Sequence, residues 1–357
     1  MKKILLFILP DLCAGGAERI TTILVNHVDR DQFLPKLLLL KKAGLYLDML
    51  KKDVEVIDIH VYKIRYSLFK LLKAIRKLKP DIAFCGYGEL NAFIAPFLPF
   101  FKKTRFIARE TNIVSEHVVR REILFFYRFY NNFHKIIAQS EDMKADLIEN
   151  MRIRPEKIVK INNPIDMDLI TKKLSSIEKP GEYFKDKKNI LAVGSLNNRK
   201  GFDNLLKVFS FLKSLAVHLF IIGEGPEKKK LLELKRKLAL DNVSFLGLKK
   251  NPFIYMKHAD LFVLSSRYEG FPNVLLEANA CGTPIFANHC KGGIDEIIES
   301  GINGEYAAIE DHKKFSQRIL KILKEKERYK DLRERTEKKY SINNIFPFYY
   351  DVFNSLR

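Results

Sequence analysis

Two glutamates, Glu269 and Glu277, lie eight positions apart in the segment EGFPNVLLE. Pro272 is typical of a helix start and Cys281–Gly282 of a helix end. We therefore expect Glu269 in the loop before this helix and Glu277 roughly one to two turns inside it. The free N–H groups of a helix start attract an anion. This spacing suits a phosphorylated sugar, with one carboxylate on the sugar and the other on a ribose diol. A helix-dipole glutamate and a surface glutamate are the alternative.

Glycine turns follow several predicted strands in the same half of the chain. The first turn, GSLNNRKG, contains Ser195, Arg199 and Lys200, and two such cations would neutralise a diphosphate. An Arg-Lys pair at a solvated corner is the alternative interpretation. Gly223 and Gly293 belong to turns after later strands. Glycine turns at successive strand ends of one domain predict a shared ligand pocket.

A further glycine turn, CAGGAER, follows the first predicted strand and precedes a helical pattern. Gly15 and Gly16 would let the backbone approach a phosphate at the helix N-terminus. The turn matches neither GxGxxG nor GxxxxGK[ST], so it supports neither a nicotinamide site nor a P-loop. A plain strand-to-helix turn is the alternative.

Short apolar runs alternate with helical patterns along the whole chain. Runs without polar alternation are typical of strands buried on both faces of a parallel sheet. The sequence therefore predicts an α/β fold with two Rossmann-like doubly wound domains facing each other across a cleft. The predicted strands are Ile4–Leu9, Lys36–Leu40, Val54–Val61, Asp81–Cys85, Arg105–Ala108, Ile136–Gln139, Ile190–Val193, His218–Ile222, Val243–Phe245, Leu261–Leu264 and Pro284–Ala287.

The domain boundaries are expected around a polar stretch that contains Pro180-Gly181. A length of 357 residues also favours two domains. The predicted division is an N-terminal domain at 1–167, a linker at 168–188 and a C-terminal domain at 189–340. The last segment, 341–357, is aromatic and helical in pattern, and we expect it to pack back toward the N-terminal domain.

The charge balance limits the classes of partner. Sixty-three Lys and Arg against 43 Asp and Glu give a formal net charge of +20, which suits nucleic acid, an anionic membrane surface or phosphorylated small molecules. The chain carries no helix-turn-helix, zinc-finger or RNP pattern, so no nucleic acid is expected. Its four cysteines form no CxxC, so no metal site is expected. No apolar run is as long as a membrane span needs.

In chain order, GGAER, the GSL…RKG turn, GEGP and the Glu-x7-Glu element resemble the retaining glycosyltransferases of family four, which have the GT-B fold. The resemblance covers nearly the whole chain. It implies that the anomeric configuration is retained, with no metal and no cofactor. Ser195 is a departure, because the family often has Arg at that position. Asp166-Met167-Asp168 matches a metal-binding DxD pattern of another transferase fold, and we interpret it as coincidence.

The resemblance also implies roles for individual residues. Glu269 would contact the transferred sugar, Glu277 would hold the ribose, and Lys200 with Arg199 would neutralise the donor diphosphate. The predicted donor-binding residues, from the glycine turns and the resemblance together, are Gly15, Gly16, Ser195, Gly223, Leu248, Phe271, Asn273, Val274, Glu277 and Gly293.

Polar residues after a strand of the first half are candidates for the acceptor side. Glu110 or His117 could orient an acceptor hydroxyl, with Asn112 beside them, although ordinary loop polarity explains them equally. Basic amphipathic segments at Lys63–Lys79 and Val119–Lys135 suit an anionic membrane surface. A core helix with a solvated cationic face is the alternative.

These observations lead to one expected function. It is transfer of a hexose or N-acetylhexosamine from a nucleotide diphosphate sugar, UDP by family habit, to a lipid-linked, lipopolysaccharide or capsular saccharide. The expected location is cytoplasmic, peripheral on the inner face of the cytoplasmic membrane. The alternatives are a GT-B nucleotide-sugar epimerase or hydrolase and a basic nucleic-acid-binding protein.

Overall fold

The chain forms two units, each built around one parallel sheet. The computed structural model describes residues 2–13, 15–118, 120–175 and 178–356. One unit consists of Met1–Pro164 with Ile345–Arg357, and the other of Ile165–Asn344. Among the described residues, no helix combines the length and the apolar character needed to cross a bilayer.

The first sheet has seven strands in the order β3-β2-β1-β4-β5-β6-β7, and every neighbouring pair is parallel. Its order reverses between β1 and β4, where a doubly wound sheet opens a crevice at the carboxyl ends of the strands. The strands are β1 Lys3–Leu9, β2 Phe33–Leu39, β3 Glu55–Asp58, β4 Ile82–Cys85, β5 Arg105–Arg109, β6 Lys135–Ala138 and β7 Ile158–Lys160. The helices are α1 Gly16–His27, α2 Leu68–Leu78, α3 Gly88–Ile94, α4 Val114–His117, α5 Arg121–Tyr127 and α6 Glu141–Glu149.

The second sheet has six parallel strands in the order β10-β9-β8-β11-β12-β13. Its order reverses between β8 and β11. The strands are β8 Lys188–Val193, β9 Val217–Ile222, β10 Val243–Gly247, β11 Leu261–Leu264, β12 Ile285–Asn288 and β13 Gly304–Ala307. The helices are α7 Met167–Lys173, α8 Phe202–Ser210, α9 Lys228–Lys237, α10 Pro252–His258, α11 Asn273–Ala280, α12 Ile294–Ile297, α13 His312–Lys324 and α14 Leu332–Tyr340. A further helix, α15 Ile342–Ser355, begins at the end of this unit, and its residues from Ile345 onward belong to the first unit.

The last helix, α15, returns the chain to the first unit. Phe353 lies edge-on to Phe33 at 5.7 Å between ring centroids, and Tyr349 lies 6.2 Å from Phe84. The hydroxyl of Tyr350 donates to the backbone oxygen of His27 at 3.2 Å. These contacts cover one face of the first sheet with aromatic rings.

All eleven predicted strands are present, which confirms the α/β, GT-B fold class as two Rossmann-like sheets. The prediction missed β7 and β13. The first has only three residues, and the second begins with a glycine and contains Glu305, so neither forms an apolar run.

The unit boundaries differ from the predicted ones. The predicted linker, 168–188, lies within the second unit, because Ile170 and Tyr183 are buried in that unit's core. The chain instead leaves the first unit after Pro164 and returns at Ile345. The polar composition of 168–188 therefore predicted a linker, although the segment contains most of the short helix α7 and the buried Tyr183.

Candidate functional site

A buried cluster of charged side chains lies at the carboxyl edge of the second sheet. The Glu269 carboxylate, 4% exposed, accepts from Lys200 Nζ at 2.5 Å and from Arg199 Nη1 at 2.7 Å. Ser266 Oγ donates to the same carboxylate at 2.6 Å. Burial opposes ionisation of Glu269, but the two cations outweigh it and hold its pKa at about 2. Glu269 is therefore an anion across the whole physiological pH range.

The turn after β8 positions the two cations. The side chain of Asn197 accepts from the backbone N–H of Lys200 at 3.2 Å, and Ser265 Oγ donates to the backbone oxygen of Lys200 at 2.8 Å. Gly201 ends the turn at a φ of +61°, and a Cβ there would lie 2.1 Å from the Ser265 backbone oxygen. Only glycine permits this backbone contact, which holds the turn against the end of β11.

The loop that carries Glu269 is held by two neighbouring strand ends. The backbone N–H of Glu269 donates to the backbone oxygen of Lys291 at 2.9 Å, and that of Arg267 donates to the backbone oxygen of Arg199 at 2.8 Å. Gly292 has a φ of +119°, and a Cβ there would lie 2.1 Å from the backbone oxygen of Glu269. The ends of β8, β11 and β12 therefore meet around one carboxylate.

The helix predicted after Glu269 is α11, with Asn273 as its first residue. Phe271 is buried and packs against Tyr340 at 6.0 Å between ring centroids. Asn273 and Val274 are half-buried at the start of the helix, and Glu277 is buried one turn further on. The two glutamates thus flank a helix start, as the spacing predicts.

The remaining predicted donor residues lie at other strand ends of the same sheet. Gly223 has a φ of +151°, and a Cβ there would lie 1.9 Å from the backbone oxygen of Gly194. Ser195 is exposed, and Leu248 is exposed after β10. Gly293 precedes α12 at a φ of +79°. The turns that contain Gly194 and Gly223 therefore adjoin each other through backbone.

The first unit contains a pocket of about 230 Å³ that brings together Glu110, Asn112 and His117. These are the three residues predicted for the acceptor side. Other residues lining it are Tyr87, Gly88, Glu89, Thr111, Val114, Val118, Arg120, Ile123 and Tyr127. Two of these lining side chains, Arg120 and Glu89, form an ion pair at 2.7 Å. The Arg120 side chain is largely exposed.

Glu110 is a buried carboxyl group on the wall of this pocket. The hydroxyls of Tyr130 and Tyr127 both donate to it, the latter at 3.4 Å. Burial raises the pKa of Glu110 to about 7, although hydrogen bonds from the tyrosines and Asn91 oppose the shift. A Cβ on Gly88 would lie 2.8 Å from the carboxylate, so α3 approaches it closely. Glu110 can therefore exchange a proton near neutral pH.

The predicted phosphate turn of the first unit ends at α1. Gly15 precedes this helix with extended backbone, and Gly16 is its exposed first residue. The Glu18 carboxylate packs against Gly15, where a Cβ would lie 2.1 Å from an oxygen, and burial raises the pKa of Glu18. Ala14 lies outside the described residues.

Several contacts of the two sites were not predicted. Ser266 closely follows β11, so the rule that polar residues at strand ends mark a site would have found it. Tyr127 and Tyr130 fall within the basic segment Val119–Lys135, and no periodicity in the sequence indicates that they face Glu110. Asp166 of the DxD pattern accepts from Leu169 N at 2.8 Å and thereby caps α7.

Two family models match successive parts of the chain. Glycosyltransferase Family 4 matches residues 14–169, and Glycosyl transferases group 1 matches residues 175–339. The chain belongs to the family-four glycosyltransferases. As the sequence predicts, this glycosyltransferase has the GT-B fold.

Individual relatives agree with this assignment. The glycosyltransferase is 33% identical over 259 residues to an uncharacterized glycosyltransferase of Methanocaldococcus jannaschii, a match that covers 68% of this chain and 64% of that protein. It is 27% identical over 349 residues to the N-acetylgalactosamine-N,N'-diacetylbacillosaminyl-diphospho-undecaprenol 4-alpha-N-acetylgalactosaminyltransferase of Campylobacter jejuni, covering 91% of each chain. The structure of Anabaena HepE in complex with UDP and glucose has a TM-score of 0.82 at 20% identity, over 99% of this chain and 100% of that one. That likeness concerns the fold.

Proposed function

We propose that this glycosyltransferase transfers a hexose or N-acetylhexosamine, with retention of configuration and without a metal ion, from a UDP-sugar to a lipid-linked saccharide. The observation that carries the proposal is the cluster of Glu269, Lys200 and Arg199 beside the start of α11. Two cations and a helix start stabilise the negative charge that develops on a departing diphosphate. In this proposal Glu269 contacts the sugar hydroxyls, and Glu277 further along the helix holds the ribose.

The choice of UDP and of the acceptor rests on relatives. The HepE structure contains UDP, and the Campylobacter enzyme's name specifies a diphospho-undecaprenol acceptor. The pocket of the first unit is large enough for part of a saccharide. Its buried Glu110 could hydrogen-bond an acceptor hydroxyl, with Asn112 and His117 lining the same space. We assign the acceptor sugar to this pocket.

The decisive experiment is a two-step assay. Nucleotide sugars are first screened by thermal shift, and those that stabilise the protein are then incubated with polyprenyl-diphosphate saccharides, with and without EDTA. We expect a UDP-sugar to bind and its sugar to be transferred with retention, unaffected by EDTA, and NMR of the product reports the anomer. Rapid turnover of the donor without any acceptor would instead indicate a hydrolase or epimerase.

A lipid-linked acceptor implies contact with a membrane, and the first unit offers a suitable surface. Residues 61–80 contain seven Lys or Arg and no Asp or Glu. Tyr62, Tyr66 and Phe69 in this segment are 79%, 67% and 86% exposed, while Leu71 and Ile75 anchor α2 in the core. Each cation near an anionic bilayer contributes about 1 kcal/mol, and aromatic rings favour the interface. We propose that this segment docks on the inner face of the cytoplasmic membrane.

Flotation of the protein with vesicles tests the docking. We expect binding to anionic but not neutral vesicles, weakened by salt and by the double substitution Tyr66→Ser with Phe69→Ser. The matched control is Phe211→Ser, which removes a 52% exposed aromatic ring from the second unit. Equal loss of binding in both variants would contradict an assignment to residues 61–80.

A further inference from the structure

The carboxylate of Glu269 forms ion pairs with both cations that a diphosphate would need. Lys200 Nζ and Arg199 Nη1 each contact a different oxygen of this one carboxylate, at 2.5 and 2.7 Å. A carboxylate that takes the two cations with its two oxygens resembles a phosphate group in charge and in the number of contacts it makes.

We propose that Glu269 is an internal competitor of the donor's diphosphate, and that it weakens the binding of the nucleoside diphosphate product. This inference rests on the proposed function and extends it from the sugar to product release. In the site without ligand, Glu269 pairs with both Lys200 and Arg199 and offsets one of their two positive charges. When a diphosphate binds, the two cations turn toward it and Glu269 becomes available to the sugar hydroxyls. When the product leaves, the carboxylate reclaims the cations.

The surroundings make this exchange compatible with the fold. The backbone on both sides of the cluster is held independently of the ion pairs, by Glu269 N on Lys291 O and by Ser265 Oγ on Lys200 O. Arg199 also lies over the ring of Tyr268 at 5.9 Å while it pairs with Glu269, so the guanidinium has a contact that does not depend on the carboxylate. Ser266 Oγ holds the carboxylate itself at 2.6 Å. The long side chains of the cations can therefore move while the loops stay in place.

Counting the three side chains, the cluster has a net charge of +1 with Glu269 and +2 with Gln in its place. A diphosphate is drawn more strongly to the second arrangement, and it no longer has to displace a bound anion. The substitution Glu269→Gln keeps the shape and the hydrogen bond from Ser266. We therefore expect it to abolish most sugar transfer and yet to tighten the binding of free UDP about tenfold, which corresponds to about 1.4 kcal/mol.

The test is isothermal titration of the full-length protein with UDP, UMP and inorganic pyrophosphate at two salt concentrations. For Glu269→Gln we expect tighter UDP and pyrophosphate binding, a smaller gain for UMP, and a steeper loss of affinity with salt. Glu269→Asp keeps the charge on a shorter side chain. We expect its affinity for UDP to lie between those of the wild type and Glu269→Gln. The matched control is Glu299→Gln, which removes one partner of the exposed Glu299–Lys339 pair at 3.1 Å in the same unit.

The outcomes separate this inference from the proposed function. If the wild-type protein binds neither UDP nor any other common nucleoside diphosphate, the proposed function fails, and the inference fails with it. If the wild type binds UDP and Glu269→Gln, folded by circular dichroism, binds it equally or more weakly, competition is refuted and the proposed function stands. If the folded variant binds UDP more tightly while the Glu299 control does not, the inference is supported.

Discussion

Replacement of Glu110 by Gln should change how the stability of the protein responds to pH. The pKa of this carboxyl is about 7 in the fold against an ordinary value of 4.5, because burial disfavours its charge. The folded state therefore holds a proton that the unfolded chain releases between these values. The contribution of Glu110 to the free energy of unfolding is fully present below pH 4.5. It falls as the pH rises and reaches its lowest level above pH 7.

The size of the effect follows from the two pKa values. A tenfold change in the ionisation constant corresponds to about 1.36 kcal/mol, so complete ionisation of Glu110 costs roughly 3 kcal/mol, most of it between pH 5 and pH 8. Gln cannot ionise. Because Tyr127 and Tyr130 contact different oxygens of Glu110, the amide oxygen of Gln can accept from one hydroxyl while its NH2 group donates to the other. At pH 5 we expect the free energy of unfolding of Glu110→Gln to lie within about 1 kcal/mol of the wild-type value. Between pH 5 and pH 8 the wild type should lose roughly 2–3 kcal/mol relative to the variant.

Urea denaturation followed by far-ultraviolet circular dichroism at pH 5 and pH 8 measures this difference. Glu149→Gln is the matched control, since Glu149 is exposed on α6 of the same unit. If the difference between Glu110→Gln and wild type is the same at both pH values, the carboxyl does not ionise near neutrality. Burial would then not be what governs the charge of Glu110.

Substitutions at three further positions have expected outcomes. Gly201→Ala should lower the melting temperature, because a Cβ would meet Ser265 O at 2.1 Å with φ at +61°, and such strain costs about 1–3 kcal/mol; a melt equal to wild type would refute the close contact. Lys200→Ala should reduce affinity for a nucleotide sugar tenfold or more in a titration, by removing a cation from the diphosphate and leaving Glu269 less well paired; unchanged affinity would place the diphosphate elsewhere. Asp311→Ala should cost about 1 kcal/mol in a thermal melt and Asp311→Asn almost nothing, because this side chain caps α13 by accepting from Lys314 N at 2.9 Å, and equal effects would exclude the cap.

The strand pattern was predictable because buried parallel strands need only apolar runs, which a sequence displays directly. The glycine turns were predictable for a related reason. Gly223 and Gly292 hold positive φ values beside a neighbouring backbone, a requirement few other residues meet. The two short strands and the buried parts of the supposed linker were not predictable, since their burial depends on elements far away in the chain.

What the sequence determined by itself is the kind of fold, the succession of strand-end turns and the identity of the charged residues. Only the tertiary structure decided which charges meet. Glu269 lies 69 residues from Lys200 along the chain, and their ion pair exists because β8 and β11 are neighbours in the sheet. Glu110 acquired its raised pKa in the same way, from burial beside Tyr127 and Tyr130. Charge pairing and desolvation depend on distances in space, and spacing along a chain does not specify them.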